Sequence, residues 1–222
     1  MPGFAGVDAS AYPGNARMAW LKANTNFRWT GFYLGPTPSH GDAGWMTRRA
    51  TLLAQGWGFA PLYVGQQVTG PGSHHSDAAH GDTDGAHACQ LMTSAGFPAG
   101  SYVYLDLENG APFTPAQHNY VAHWVDAVIS GGFGPGVYCS HTFAVEVHTL
   151  RSAARIWAFK VPTNVNHPVP GHNYPDSHPA GSGYPGAYIW QLGQGCIIDV
   201  PGAGGNKLLV DLDTAVSSDP SS

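Results

Sequence analysis

The chain has 222 residues, 43% of them hydrophobic and 10% charged, and its 14 acidic residues outnumber 9 basic ones to give a net charge of −5. This composition excludes a disordered polar chain, because such chains lack the apolar residues that build a core. The basic residues form no cluster, which excludes an electrostatic surface for nucleic acid. No apolar run approaches the ~20 residues of a membrane-spanning helix, so we expect no membrane span.

The cysteines and the N-terminus give no sign of export by a signal peptide or of disulfide bonding. Cys89, Cys139 and Cys196 leave at least one thiol unpaired and lack metal-ligand spacing. Cys89 falls in a predicted helix and Cys139 at a predicted strand end, so we expect different layers and three reduced thiols. The N-terminus has neither a basic region nor a long apolar region, so we expect no secretion signal in this chain.

Hydrophobic periodicity divides the chain into alternating strands and helices. Strand patterns occupy residues 4–8, 27–34, 59–64, 101–108, 136–139, 155–161, 187–192 and 207–212. Helix patterns occupy residues 17–23, 45–55, 83–95, 114–130 and 143–150. The fourth helix opens with a capping-box sequence, from Thr114 to Gln117. No helix pattern lies between the final three strands.

This order of elements favours a closed α/β barrel. Alternating strands and helices indicate a parallel sheet, and eight parallel strands indicate closure. We predict a TIM-like barrel of eight parallel-type strands with about five helices, in one domain over residues 1–216, and a frayed tail over residues 217–222. An open doubly wound sheet is the alternative, but no glycine-rich phosphate turn follows the first strand.

Two long loops lack periodicity. The first, at residues 66–82, carries possible metal ligands, namely His74, His75, Asp77, His80 and Asp82. Their spacing matches no defined coordination motif, so we expect no metal there. The second loop, at residues 162–186, is rich in Pro, Gly, His and Asn, and loops of this length in compact domains are usually functional or disordered.

The strand pattern at residues 101–108 alternates strictly between two faces. One face holds Val103, Leu105 and Leu107, and the other runs from Tyr102 and Tyr104 to Asp106 and Glu108. Two acids at i and i+2 on one strand face resist joint ionisation. Carboxyls whose pKa values are pushed apart suit acid/base chemistry on a glycosidic bond. Acids that cap the following loop are the structural alternative.

Acidic residues recur near the ends of other predicted strands. Asp8 ends the first strand, and Asp211 ends the last, with Asp213 two residues further on. The alternation in residues 208–213 turns both of these late aspartates to the barrel interior. The carboxyl ends of barrel strands form one mouth. We therefore expect these acids and the pair that ends the fourth strand to ring that mouth.

Several ordered segments carry a family resemblance. They are residues 6–10 (GVDAS), 105–108 (LDLE), 156–159 (IWAF), 189–191 (IWQ) and 209–213 (LVDLD). Together they resemble glycoside hydrolase family 25, the peptidoglycan-cleaving muramidases. With residues 27–34 (FRWTGFYL), 63–67 (YVGQQ) and 137–141 (VYCSH), the chain is more similar still to the glycoside-hydrolase-like proteins of domain-of-unknown-function family 1906. The first family's barrel has five β/α units followed by three strands without full helices, in agreement with the independent element count.

The resemblance implies a role for each acid. Glu108 matches the general acid of the muramidases, and Asp106 matches the acid that assists it through the substrate's acetamido group or through electrostatics. Asp8 and Asp211 match the remaining pocket acids. Asp213 departs from the pattern, because the muramidases usually carry Asn there, and an extra acid alters the balance of pKa values.

Other predicted contacts complete the site. Aromatic residues near strand ends suit a sugar-stacking floor, namely Tyr33, Tyr63, Tyr138, Trp157 and Trp190. Core packing is the alternative for at least half of them. We expect substrate contacts from Asp213, Tyr138, Trp157 and Gln191.

The leading hypothesis is a muramidase-like glycosidase acting on β-1,4 bonds beside an N-acetylated sugar of peptidoglycan. We expect a monomer that needs no cofactor, with a glycan as its partner in the cell envelope or the extracellular space. The second hypothesis is a catalytically silent barrel that binds cell-wall glycan. A metal-dependent hydrolase built on the histidine-rich loop is the third.

Overall fold

A computed structural model describes residues 2–108, 112–161, 169, 171–202 and 207–222. The strands are β1 (Phe4–Asp8), β2 (Trp29–Tyr33), β3 (Gly58–Val64), β4 (Tyr102–Asp106), β5 (Gly134–Ser140), β6 (Arg155–Phe159), β7 (Ala187–Asp199) and β8 (Lys207–Ala215). The helices are α1 (Asn15–Asn24), α2 (Arg49–Ala54), α3 (Ala78–Ser94), α4 (Pro115–Ser130) and α5 (Ala144–Leu150), with a short 3₁₀ helix at Pro179–Ser182. Among the described helices, none has the length and apolar character that crossing a bilayer requires.

The strands close into a barrel in chain order, from β1 to β8. Strands β1 to β7 pair in parallel with their neighbours, whereas β8 is antiparallel to both β7 and β1. The predicted α/β barrel with five α-helices is confirmed, but the expectation that every strand is parallel is wrong. Only residues 200–206 separate β7 from β8, and a parallel return needs a crossover of a dozen or more residues.

The reversal of β8 changes how its acids reach the barrel mouth. The sequence pattern indicated that Asp211 ends the last strand. In the structure, Asp211 lies in the middle of β8. Antiparallel pairing sets Asp211 opposite Asp8 and sets Asp213 opposite Gly6. Asp211 therefore lies at the carboxyl end of β1, and Asp213 lies beside its middle, although their own strand runs the other way.

The two faces of β4 contact different layers, as the alternation predicts. Val103, Leu105 and Leu107 are buried in the core between the barrel and its helices. Tyr104 points into the barrel, where its ring centroid lies 5.7 Å from that of Trp157. The barrel interior is thus filled by large aromatic side chains beneath the carboxylates of the mouth.

Two helices show why local sequence sets element boundaries. The capping box of α4 is present as predicted, with Thr114 and Gln117 each accepting a hydrogen bond from the other's backbone N–H. Helix α3 begins at Ala78, five residues before the predicted start at residue 83, because the Asp77 side chain accepts a hydrogen bond from the backbone of His80 and caps it. The last residues of the predicted histidine-rich loop, from Ala78 to Asp82, therefore belong to α3.

Residues 217–222 lie against the end of the barrel opposite the mouth, although a frayed tail was expected. Asp219 Oδ1 accepts a hydrogen bond from the backbone of Phe59 at 3.0 Å. Tyr104 donates its hydroxyl to the Pro220 carbonyl at 3.0 Å, and Arg155 Nη1 also donates to that carbonyl. Polar composition suggested fraying, but strand-end groups of the barrel give this segment specific partners.

Candidate active site

Four carboxyl groups from three distant segments line one well at the barrel mouth. The well, about 30 Å³ in volume, is lined by Asp8, Asp106, Glu108 and Asp211. A larger cleft of about 610 Å³ is lined by three of them, Asp8, Glu108 and Asp211. The convergence of these acids at one mouth therefore agrees with the expectation from the strand pattern.

Asp8 is held at the end of β1 by a neighbouring tyrosine. It is buried, and Tyr33 at the end of β2 donates its hydroxyl to Asp8 Oδ1 at 2.7 Å. Burial raises the pKa of Asp8, and the hydrogen bond from Tyr33 offsets part of that rise. Asp8 therefore has a fixed orientation and a reduced tendency to ionise.

Asp106 is a buried acid that faces the well and has a strongly raised pKa. It is buried, and its Oδ1 has no hydrogen-bond partner within the described residues. Burial raises the pKa of Asp106 well above its ordinary value, and the charges of Glu108, Asp8 and Asp211 raise it further. The neutral acid is therefore the favoured form, and its buried Oδ1 is left without a hydrogen-bond partner among the described residues.

Asp211 is held by two donors from β7. Gln191 Nε2 donates to Asp211 Oδ2 at 2.7 Å, and the backbone N–H of Gly195 donates to Oδ1 at 2.7 Å. Register shifts in β7 between Gln191 and Cys196 bring both donors to the same carboxyl. Burial and the nearby Asp8 charge raise the pKa of Asp211 to about 7, although these hydrogen bonds oppose the rise.

Asp213 lies beneath the cleft. Its side chain is buried, and Oδ1 accepts a hydrogen bond from Trp157 Nε1 at 3.2 Å. Burial raises the pKa of Asp213 well above its ordinary value, and the Asp8 charge adds to that rise. Asp213 supports the floor of the site and lines neither cavity, although a substrate contact was expected of it.

Glu108 occupies the rim of the well. It follows β4 by two residues, and its side chain is exposed. Its backbone N–H donates to Gln67 Oε1 at 2.9 Å, and Gln67 Nε2 donates to the Asp106 carbonyl at 2.8 Å. The exposed carboxyl is thus carried on a backbone that a neighbouring side chain fixes.

The predicted aromatic floor divides into two groups. Tyr33, Tyr138 and Trp157 line the well. Tyr63 packs on the outer side of the barrel, where its hydroxyl lies 3.1 Å from His87 Nδ1. Trp190 donates its indole N–H to the Lys160 carbonyl at 3.1 Å and does not line the well. Tyr63 packs in the outer core, and Tyr138 and Trp157 are buried in the aromatic cluster inside the barrel, so core packing accounts for at least half of the five.

The larger cleft has cationic side chains as well as acids. Arg17, near the start of α1, and Lys207, at the start of β8, both line it. These two cations share the cleft wall with three acids, Asp8, Glu108 and Asp211. A ligand that carries an anionic substituent would be attracted to this part of the cleft.

Comparison with known proteins places the chain in a family. Residues 19–193 match the family described as Rv2525c-like, glycoside hydrolase-like domain. The chain belongs to this family. The resemblance seen in the sequence is thereby confirmed. No curated protein shows significant similarity to the chain.

Solved structures share the barrel of this Rv2525c-like domain. The Tat-secreted protein Rv2525c of Mycobacterium tuberculosis is 17% identical with a TM-score of 0.66, over 98% of this chain and 97% of that one. A family 25 glycosyl hydrolase from Bacillus anthracis is 12% identical with a TM-score of 0.60, over 97% and 90%. A bacterial lysozyme from Streptomyces coelicolor is 12% identical with a TM-score of 0.61, over 97% and 93%. At these identities the likeness establishes the shared fold.

The histidine-rich loop of the Rv2525c-like domain makes local pairs. His80 Nδ1 lies 2.9 Å from Asp77, and the ring of His80 stacks on that of His75 with centroids 5.1 Å apart. Across the part of the chain that the structure describes, no three His, Cys, Asp or Glu side chains come together in a way that would hold a metal ion. Cys89, Cys139 and Cys196, which lie in α3, β5 and β7, are buried free thiols.

Two features of the site were absent from the sequence-based prediction. The Gly195 amide binds Asp211 only because β7 departs from regular pairing, which no local pattern in residues 187–199 predicts. Gln67 was noted only as part of the resemblance in residues 63–67. Its position just after β3, at the same barrel end as the acids, is the signal that would have identified it.

Proposed function

We propose that this Rv2525c-like domain is a glycosidase that hydrolyses a bond beside an N-acetylated sugar in a peptidoglycan-type glycan. The observation that carries the proposal is the shared well of Asp8, Asp106, Glu108 and Asp211. Burial raises the pKa values of Asp8, Asp106 and Asp211, that of Asp211 to about 7, so the cluster holds carboxyls that bind protons more tightly than an ordinary acid. That combination suits proton transfer to and from a glycosidic oxygen.

In the proposed reaction, Glu108 is the general acid. It gives its proton to the glycosidic oxygen while the bond between that oxygen and the anomeric carbon breaks. The acetamido oxygen of the substrate bonds to the anomeric carbon and forms a cyclic cation. Water then attacks that carbon, opens the ring and passes its proton to the Glu108 carboxylate. The cycle therefore ends with Glu108 protonated again and one new reducing end.

Asp106 is the assisting acid in this scheme. Its carboxyl borders the well that would receive the acetamido group, and its neutral form predominates before the reaction. A positive charge that develops next to Asp106 lowers its pKa again, so its attraction for the substrate is strongest near the transition state. Asp8 and Asp211 are held rigidly by their hydrogen bonds and would bind sugar hydroxyls.

The composition of the cleft supports a substrate with both sugar rings and carboxylates. Tyr138 and Trp157 border the well, and Gln191 is held beside them by its bond to Asp211. Arg17 and Lys207 line the cleft and offer positive charge to an anionic group such as a carboxylate of a peptidoglycan stem peptide. The lysozyme and the family 25 glycosyl hydrolase that share this fold support the same substrate class.

A second candidate function is binding of the same glycan without cleavage, and Asp213 is the observation that favours it. Muramidases resembling this chain usually carry Asn at that place, whereas Asp213 adds a buried acid whose pKa is raised by burial and by Asp8. An additional proton in the cluster changes which carboxyl ionises first. The proposed catalyst and the proposed binder therefore differ in turnover and not in their ligand.

One experiment separates these candidates. Purified peptidoglycan is incubated with the protein in heavy-oxygen water, and new reducing ends are counted and weighed by mass spectrometry. A glycosidase releases reducing ends that carry the heavy oxygen. A binder co-sediments with peptidoglycan and releases none, and a protein that does neither contradicts both candidates.

The substrate assignment has its own test. Lys207→Gln is compared with Arg28→Gln, which removes a charge from an exposed residue near the opposite end of the barrel. We expect only the Lys207 variant to raise KM for peptidoglycan, with little change for a chitin oligosaccharide, which lacks carboxylates. Equal effects on both substrates would contradict the proposed contact with an anionic substituent.

A further inference from the structure

We propose that Gln67 is a positioning residue for Glu108, whose side-chain amide continues the β3–β4 pairing beyond the ends of both strands. Strand β3 ends at Val64, which pairs with Asp106 at the end of β4. Just beyond this pair, the backbone N–H of Gly65 donates to the Asp106 carbonyl at 3.3 Å. The consequence for catalysis rests on the proposed function, whereas the positioning itself does not.

The amide of Gln67 is complementary to the peptide groups around Leu107. Nε2 donates to the Asp106 carbonyl at 2.8 Å, and Oε1 accepts from the Glu108 N–H at 2.9 Å. One side chain therefore bonds to the peptide groups on both sides of Leu107, as the backbone of an adjacent strand would. These two bonds fix the peptide orientation from which the Glu108 side chain projects.

Gln67 is itself firmly held. It is 7% exposed, its backbone N–H donates to the Ser73 carbonyl at 2.8 Å, and its own carbonyl lies 2.9 Å from His74 Nδ1. The preceding residue, Gln66, donates Nε2 to Asp84 of α3 at 2.9 Å. The histidine-rich loop thus has a structural use, because it closes on the residue that holds the rim of the well.

The exposure of Glu108 makes this support important. Packing immobilises a buried side chain, but the Glu108 side chain is exposed, so its position depends on its backbone. A displacement of about 1 Å from productive geometry costs on the order of 10² in rate. Loss of the Gln67 amide should therefore lower kcat more than it changes KM.

Gln66 provides a matched control. The two glutamines are adjacent, both are buried, and each makes two side-chain hydrogen bonds. Those of Gln66 go to Asp84 and to the His75 backbone, whereas only those of Gln67 reach β4. Gln67→Met and Gln66→Met remove side chains of similar size and burial, so a general loss of stability would affect both variants alike.

The first measurement is hydrogen exchange at the Glu108 amide in the wild type and both variants. Losing one hydrogen bond of ordinary strength should speed this exchange about tenfold in Gln67→Met. Gln66→Met should leave it near the wild-type rate. Equal exchange at Glu108 in both variants, or no change in Gln67→Met, would overturn the proposal.

Gln67→Glu keeps the test decisive if the Met variant folds poorly. A protonated glutamic acid offers one donor and one acceptor, as the amide does, whereas the ionised form cannot donate to the Asp106 carbonyl. Protection of the Glu108 amide, corrected for intrinsic exchange, should therefore return as the pH falls through the titration of the new carboxyl. A pH-independent loss of protection would contradict the proposed bonding.

Turnover measurements test whether the positioning of Glu108 by Gln67 affects catalysis. On peptidoglycan we expect Gln67→Met to lower kcat on the order of tenfold to 10² with KM little changed, and Gln66→Met to retain most of kcat. A parallel fall in both variants would contradict a specific role in catalysis. If the wild type releases no reducing ends, the proposed function fails, and the exchange measurement alone still decides whether Gln67 positions Glu108.

Discussion

The two ends of the barrel differ in how well the carboxyl groups of Asp106 and Asp219 are hydrogen-bonded. At the mouth, Asp106 is buried with one oxygen that lacks a hydrogen-bond partner among the described residues, and it is surrounded by other acids. At the opposite end, Asp219 Oδ1 accepts hydrogen bonds from the backbone of Phe59 and from the hydroxyl of Ser221. A buried aspartate thus lacks a partner for one oxygen at the mouth, whereas one oxygen of Asp219 accepts several hydrogen bonds at the opposite end.

We interpret this difference as a division between the proposed site for chemistry at the mouth and a stabilising contact at the opposite end. A buried polar group without a partner costs free energy, whereas a paired one contributes modestly. Crowded carboxyls at the mouth therefore lower the free energy of unfolding, and the packed residues 217–222 help to offset that cost. Removing an acid at the mouth should raise stability and lower activity, whereas removing Asp219 should lower stability and leave activity unchanged.

The largest expected effect is that of Glu108→Gln on turnover. Gln is nearly isosteric with Glu but cannot deliver a proton to a leaving group, so the rate on peptidoglycan should fall about 10²–10⁴-fold. The melting temperature should stay the same or rise, because a carboxyl leaves a crowded cluster. Asp82→Asn is the control, since it replaces an exposed acid on α3. If the Gln variant matches the active wild type in rate, the proposed role of Glu108 is wrong.

Asp106→Asn should reduce turnover less, on the order of 10², because an amide still bonds an acetamido group but supplies no negative charge. Its stability should increase, since the residue no longer carries a buried carboxyl that Glu108, Asp8 and Asp211 disfavour in its ionised form. Thermal unfolding and reducing-end assays on the same preparation check both parts. A variant that is less stable than the wild type and fully active would contradict both the destabilising effect of Asp106 and its proposed role in turnover.

The sequence predicted the features that depend on local patterns. Alternation in residues 101–108 predicted both faces of β4, and the cap sequence predicted the start of α4. It did not predict the direction of β8, because alternation is the same for parallel and antiparallel strands. The meeting of Asp211 with Asp8 survived that error, since a reversed strand still presents alternate residues to the same face.

Long-range hydrogen bonds were the least predictable part of the structure. Gln67 bonds to a strand end about forty residues later, and Asp219 bonds to the backbone of Phe59. No periodicity in the sequence encodes such contacts, because they depend on closure of the barrel. Polar composition therefore indicated a frayed tail where closure provides partners.

At the closed end, Asp219→Ala should lower the free energy of unfolding by about 1–3 kcal/mol, because the Phe59 N–H loses its acceptor in a partly buried position. Urea unfolding gives this value. Activity per folded molecule should not change, since the residue lies far from the acids of the mouth. A variant with wild-type stability would show that residues 217–222 add little to the barrel.

The smallest expected effect is on the pH dependence of stability. Asp211 has a pKa of about 7 in the folded protein against 3.8 ordinarily, so the folded state binds more protons than the unfolded state between these values. Stability should therefore fall as the pH rises through this window and level off above it. The fall in melting temperature should be smaller in Asp211→Asn than in the wild type or Asp82→Asn. Identical pH profiles would contradict the raised pKa.

An NMR titration of the side-chain carboxyl carbons tests the crowded mouth most directly, with assignments from Asp106→Asn and Asp211→Asn. The account predicts a midpoint near 7 for Asp211 and one well above the ordinary 3.8 for Asp106. Neither midpoint should move in Asp219→Ala, which alters only the opposite end. Midpoints near 3.8 for both residues would mean that the acids ionise independently, and the proposed acid/base chemistry would lose its physical basis.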